Sequence, residues 1–95
     1  MKKIKLDCFY LEVMISGIYE MLCYYSDEER ELRRKLLLRL IDECDALGIG
    51  KKRRFPFQPV ERRIVRETML RWHNELILYG KPTEDVDYII LLFSK

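Results

Sequence analysis

Four consecutive cations, Lys51, Lys52, Arg53 and Arg54, run directly into Phe55-Pro56-Phe57. Arg62, Arg63, Arg66 and Arg71 follow, with Trp72 beside them. Cations neutralise phosphates and aromatic ring faces stack on bases, so basic residues interleaved with aromatics match a single-stranded nucleic acid or a nucleotide ligand. The bias is local. Residues 48–80 hold eight Lys/Arg against three Asp/Glu, a net +5, whereas residues 1–47 carry −2 and residues 81–95 carry −1. The residues expected to meet an anionic ligand are Lys51, Lys52, Arg53, Arg54, Phe55, Phe57, Arg62 and Arg66.

Half of this patch has a competing explanation. Arg62, Arg63 and Arg66 fall in the first turns of a helix, where positive charge opposes the dipole by about 0.3–1 kcal/mol per residue. Asp42, Glu43 and Asp45 fall in the last turns of the preceding helix, where negative charge is equally misplaced. Antiparallel packing would let the two clusters correct each other. Lys51–Arg54 have no acid near them in sequence.

Other chemistries find less support. His73 is the only histidine, and no carboxylate stands four residues away to orient it. Glu12 and Glu20 would lie roughly 12 Å apart along a helix, too far to share a proton within one chain. Cys8, Cys23 and Cys44 are odd in number and match neither a disulfide framework nor a zinc spacing, so they read as buried, reduced thiols. Gly48-Ile49-Gly50-Lys51 lacks the spacing and the strand of a phosphate loop. No catalytic residue, metal site or cofactor is expected.

The elements that must position these residues are helical. From Cys8 to Tyr25 only Glu12, Ser16, Gly17 and Glu20 interrupt the apolar residues, and at helical spacing the first, second and fourth form one narrow polar stripe. Such a helix is central to a fold. Ser26 followed by Glu29 is a capping box, and Leu32, Leu36, Leu37, Leu40, Ile41, Cys44 and Leu47 then recur at helical spacing until Gly48. Residues 48–59 have loop composition. The period resumes from Val60 to Tyr79, and Thr83 caps a short helix with Val86, Ile89, Ile90 and Phe93 inward. The lead-in MKKIKL also fits a strand template, but the polar stripe favours helix from about Asp7.

The expected fold is therefore an all-α bundle of about four helices (7–25, 27–47, 60–79, 84–94) forming one domain over 1–95, with a basic loop at 48–59. The first helix exposes more apolar surface than three modest helices readily cover, so a homo-oligomer, dimer or larger, is expected through Phe9, Val13, Ser16, Glu20 and Tyr24. Asp7, Glu12 and Glu20 break the apolar stretch that a signal peptide or membrane span would need, which points to a cytoplasmic protein without a membrane partner. With no catalytic signature, the first functional expectation is a non-enzymatic interaction protein. It would be an oligomeric adaptor or inhibitor that occupies a macromolecular partner, of the kind phages and mobile elements encode. The alternative is a nucleic-acid or nucleotide/phosphate-ligand binder using residues 51–71.

Overall fold

The computed structural model describes residues 2–95; Met1, the first residue of the basic lead-in, lies outside them. The rest of that lead-in is strand β1 (Lys2–Asp7), followed directly by helix α1 (Cys8–Met21) and a 3-10 turn at Leu22–Tyr24. Helix α2 (Asp27–Leu47), strand β2 (Lys52–Phe57), helix α3 (Pro59–Leu78) and helix α4 (Glu84–Phe93) complete the chain. The four helices lie close to their expected bounds, but the all-α class is incomplete. The lead-in and the supposed loop pair as a two-stranded antiparallel sheet in register Ile4↔Phe55, Lys5↔Arg54. Both segments alternate, with Ile4, Leu6, Phe55 and Phe57 buried between exposed neighbours. A lone strand of this length is marginal, and each is stable only against the other and the core. Pro56, which has no N–H to donate, is tolerated because neither strand is interior to a wider sheet.

Local chemistry sets each junction. Asp7 is both the last residue of β1 and the N-cap of α1, accepting the Tyr10 N–H at 2.9 Å. Helix α1 stops at Met21 rather than reaching Tyr25, because the chain tightens into the 3-10 turn. Arg30 of α2 then satisfies its orphan carbonyls, donating to Leu22 O at 3.2 Å and Tyr25 O at 2.9 Å. Ser26 caps α2 as expected, and Gly48 ends it at φ 82°, a conformation that favours glycine.

Helix α1 lies at the centre and packs against α2, α3 and α4. It buries Leu11, Met14, Gly17, Ile18 and Met21 and leaves Glu12, Ser16 and Glu20 in solvent. One chain thus supplies most of the cover that had argued for a second copy; Phe9 and Tyr19 remain exposed. Contact with α3 is closest at Gly17, where a Cβ would sit 2.6 Å from Met69 Cε and nearer still to the Trp72 ring.

Helices α2 and α3 are joined through a buried guanidinium. Arg33 is fully enclosed. Its Nε donates to Thr68 Oγ1 at 3.1 Å, and its Nη1 donates to the Glu29 carboxylate at 2.7 Å and the Glu29 carbonyl at 3.1 Å. Glu67 Oε2 lies 3.6 Å from Nη2, and the Tyr25 ring centroid lies 3.5 Å from the guanidinium carbon. Arg63 closes the cluster, 3.3 Å from Glu29 and 3.0 Å from Glu67. Two of the three misplaced arginines of α3 therefore find partners, though not Asp42, Glu43 or Asp45, while Arg62 Nε is buried without one. Arg63 uses Glu29 and Glu67, while Arg66 caps α4 by donating to Phe93 O at 3.0 Å.

Two outcomes test this packing. Gly17→Ala gains helix propensity yet loses net stability, by about 1–3 kcal/mol of overpacking strain less roughly 0.5–1 kcal/mol of propensity. Because Trp72 is the only tryptophan, the same substitution shifts the intrinsic fluorescence. An unchanged spectrum with a raised melting temperature would refute the close approach. The Arg33 and Arg63 hydrogen bonds hold the Glu29 carboxyl below its ordinary 4.5. The unfolded chain therefore takes up that proton first, so the Glu29 contribution is complete above about pH 4.5 and is lost as pH falls through the folded value. Glu29→Gln flattens the acid limb of the stability profile in this window; a limb of unchanged slope in urea titrations would contradict it.

Candidate functional site

The sheet divides the run of four cations by strand parity. Lys52 and Arg54 fall on the outer face, beside Lys3 and Lys5 of β1, while Phe55 and Phe57 turn into the core. Arg53 leans back over the Phe55 ring, 5.5 Å from its centroid, and its Nη1 lies 3.8 Å from the Glu43 carboxylate. Lys51 precedes the strand and is exposed.

The outer face therefore carries Lys3, Lys5, Lys52 and Arg54, with Lys5 directly opposite Arg54. Like charges facing each other across two strands are destabilising. The one acid on this face, Asp7, already has a carboxylate oxygen committed to the α1 cap. Among the described residues, none of the four cations lies in an ion pair. Their positive potential is left to solvent.

Beside this face runs a groove of about 330 Å³, bounded by β1, Lys52, Arg54, Tyr10 and the Tyr88, Leu92 and Lys95 side of α4. The Tyr10 and Tyr88 rings lie 4.7 Å apart at 36°. Partial burial, with the Asp85 carboxylate adding, pushes the Tyr10 phenol above its ordinary value. The groove thus offers cations on one wall and phenol faces on the other.

The sheet is held in place from behind. Arg39 of α2 donates to Pro56 O and, at 2.8 Å, to Glu61, and its guanidinium lies 4.9 Å from the Phe57 ring centroid. Glu61 also accepts the Gln58 N–H at 2.8 Å. Phe57 meets Phe93 edge to face with centroids 5.0 Å apart. These contacts fix the strand that presents Lys52 and Arg54.

Several expected site residues lie elsewhere. Phe55 and Phe57 are 1% and 0% exposed, so their rings are not free to stack on a base. Both instead fasten the segment to the bundle. Arg66 is engaged with Phe93 O, and neither Arg62 nor Arg66 lines the groove. Ser16, Glu20 and Tyr24 line a different groove, about 580 Å³, with Trp72, Glu75, Leu76 and Tyr79. Val13 is half-buried and Phe9 exposed. His73 does have an orienting carboxylate, Asp87 Oδ1 at 3.0 Å from Nε2, brought by α4 rather than by its own helix. Of the three cysteines expected as buried thiols, Cys44 is buried, Cys8 partly so and Cys23 exposed; Cys8 and Cys44 meet with sulfurs 2.8 Å apart, and Glu12 Oε1 lies 3.8 Å from Cys8 Sγ.

Lys3, Lys5, Tyr10 and Tyr88 were not singled out in the sequence as site residues. The alternation of Lys3-Ile4-Lys5-Leu6 carried the signal for the first two, through a strand whose partner lies about fifty residues away. Comparison with protein-family models, curated proteins and solved structures finds no match. Lys5→Glu replaces the Lys5–Arg54 repulsion with attraction and raises stability by roughly 0.2–1 kcal/mol, whereas the same charge change at exposed Lys81 does not. Urea melts of the two variants check this; equal shifts would assign the effect to net charge alone.

Proposed function

We propose that this protein is a non-enzymatic binder of single-stranded nucleic acid. The phosphates lie on the outer sheet face against Lys3, Lys5, Lys52 and Arg54, and a base enters the adjoining groove against Tyr88. The observation that carries this reading is the direct opposition of Lys5 and Arg54 on a face whose one acid, Asp7, has an oxygen committed to the α1 cap, a local cost that an incoming polyanion converts into attraction. Tyr88, 45% exposed, supplies a ring face, and base–aromatic stacking contributes about 1–3 kcal/mol per base. Sequence selectivity is not expected, because cations and ring faces read no base edges. Among the described residues no helix is long and apolar enough to cross a membrane, and a cytoplasmic location belongs to this proposal.

A second reading is favoured by a separate observation. Trp72, Tyr24 and Tyr79 line the other groove, with Tyr24 48% and Tyr79 71% exposed. A protein partner or a second copy of this chain would cover that surface, as the expected adaptor or inhibitor would require.

Fluorescence anisotropy with a labelled single-stranded oligonucleotide separates the two. Wild-type affinity falls with salt along a log–log slope near −3, since about four phosphates are neutralised at ~0.7 each. Lys5→Glu with Arg54→Glu loses binding by at least tenfold without loss of stability, and Tyr88→Ala weakens it. Binding that persists in the charge-reversed variant but is lost on Trp72→Ala would transfer the function to the second groove.

A further inference from the structure

We propose that Cys8 and Cys44 are a redox-active pair that low-molecular-weight disulfides, such as oxidised glutathione, convert into an intramolecular disulfide. The proposal stands apart from nucleic-acid binding. It rests on two cysteines 36 residues apart in sequence whose sulfurs lie 2.8 Å from each other. Both are free thiols. A disulfide bond is about 2.05 Å long, so the pair closes with less than an ångström of movement.

Position gives the two sulfurs different roles. Cys8 is the first residue of α1 and only partly buried, so a small disulfide can reach its sulfur from solvent. Cys44 is buried in the last turn of α2, and burial pushes its thiol far above the ordinary value. The Cys8 thiolate attacks one sulfur of the small disulfide, forming a mixed disulfide and releasing one thiol. The Cys44 thiol gives its proton to solvent or to Glu12 and attacks Cys8 Sγ, and the second small thiol leaves. Two protein thiols are oxidised to one disulfide and the small disulfide is reduced to two thiols, so atoms and electrons balance.

A shared metal fits less well. Sulfurs on one tetrahedral zinc, each at about 2.3 Å, stand roughly 3.7 Å apart. The observed pair is closer than that. The bond would tie the start of α1 to the end of α2. Cys8 directly follows Asp7, which pairs with Lys52 at that end of the sheet. The oxidised protein would thus carry a covalent pin beside the junctions from which both strands leave the helices.

The test uses the full chain with exposed Cys23 changed to serine, so that intermolecular bridging cannot confuse the readout. Equilibrated in glutathione buffers of rising oxidised fraction, the protein should lose the mass of two hydrogens without retaining glutathione. Its melting temperature should rise and return on reduction. Cys8→Ser and Cys44→Ser should each abolish both changes while keeping the helical circular dichroism of the reduced protein. If Cys44→Ser fails to fold, peptide mapping of the oxidised Cys23→Ser chain locates the cross-link instead. A stable glutathione adduct on Cys8, thiols unchanged at full oxidation, or tightly bound zinc in the purified protein would each overturn the proposal.

Discussion

A fully buried guanidinium is the constraint around which this fold is arranged. Removing Arg33 from solvent is expensive, and the cost is offset only by assembling partners from several segments at once. Tyr25 comes from the turn after α1, Glu29 from the first turns of α2, and Thr68 and Glu67 from the middle of α3. Glu29 is supplied by α2 itself, but the Tyr25, Thr68 and Glu67 contacts form only if the chain between α1 and α2 turns where it does and α3 crosses α2 at this height. Burying the charge thus selects one arrangement of helices that apolar packing alone would leave less specified.

The same cluster governs where charge is left over. Arg33 and Arg63 share Glu29 and Glu67, Arg39 takes Glu61, and Arg30 lies 3.5 Å from Asp27. With Glu31 beside Arg34, five acids of α2 and α3 are thereby matched to arginines of the same two helices. On the sheet, Glu43 reaches only Arg53, and Asp7 is occupied with a helix cap. The strands gather four basic residues from both ends of a long sequence separation onto one face and bring a single acid, Asp7, to it. A face that destabilises the free protein, beside a groove with exposed tyrosine, is a more specific signal than a basic run in a loop.

Local pattern made much of this legible. Ser26 and Gly48 bracket α2, the Glu12–Ser16–Glu20 stripe identifies the exposed edge of α1, and the period from Val60 locates α3. What escaped depends on residues distant in sequence. A six-residue alternation such as Lys2–Asp7 is too short to be distinguished from a helix entry until its partner is known, and β2 was masked by two prolines and four charges that read as a loop. Phe55 and Phe57 looked available for stacking because the loop reading gave them no inner face. The pairing of Cys8 with Cys44 and of His73 with Asp87 likewise joins elements whose adjacency no local spacing encodes.

The central claim is that the outer sheet face, and not the aromatic groove between α1 and α3, receives the partner. Amide chemical-shift mapping of the isotope-labelled protein, titrated with a short single-stranded oligonucleotide at low salt, addresses it most directly. The account predicts shifts concentrated in residues 2–7, 52–57 and 88–95, reversed by added salt. Shifts confined to Ser16, Glu20, Tyr24, Trp72 and Tyr79, or none at all, would contradict it.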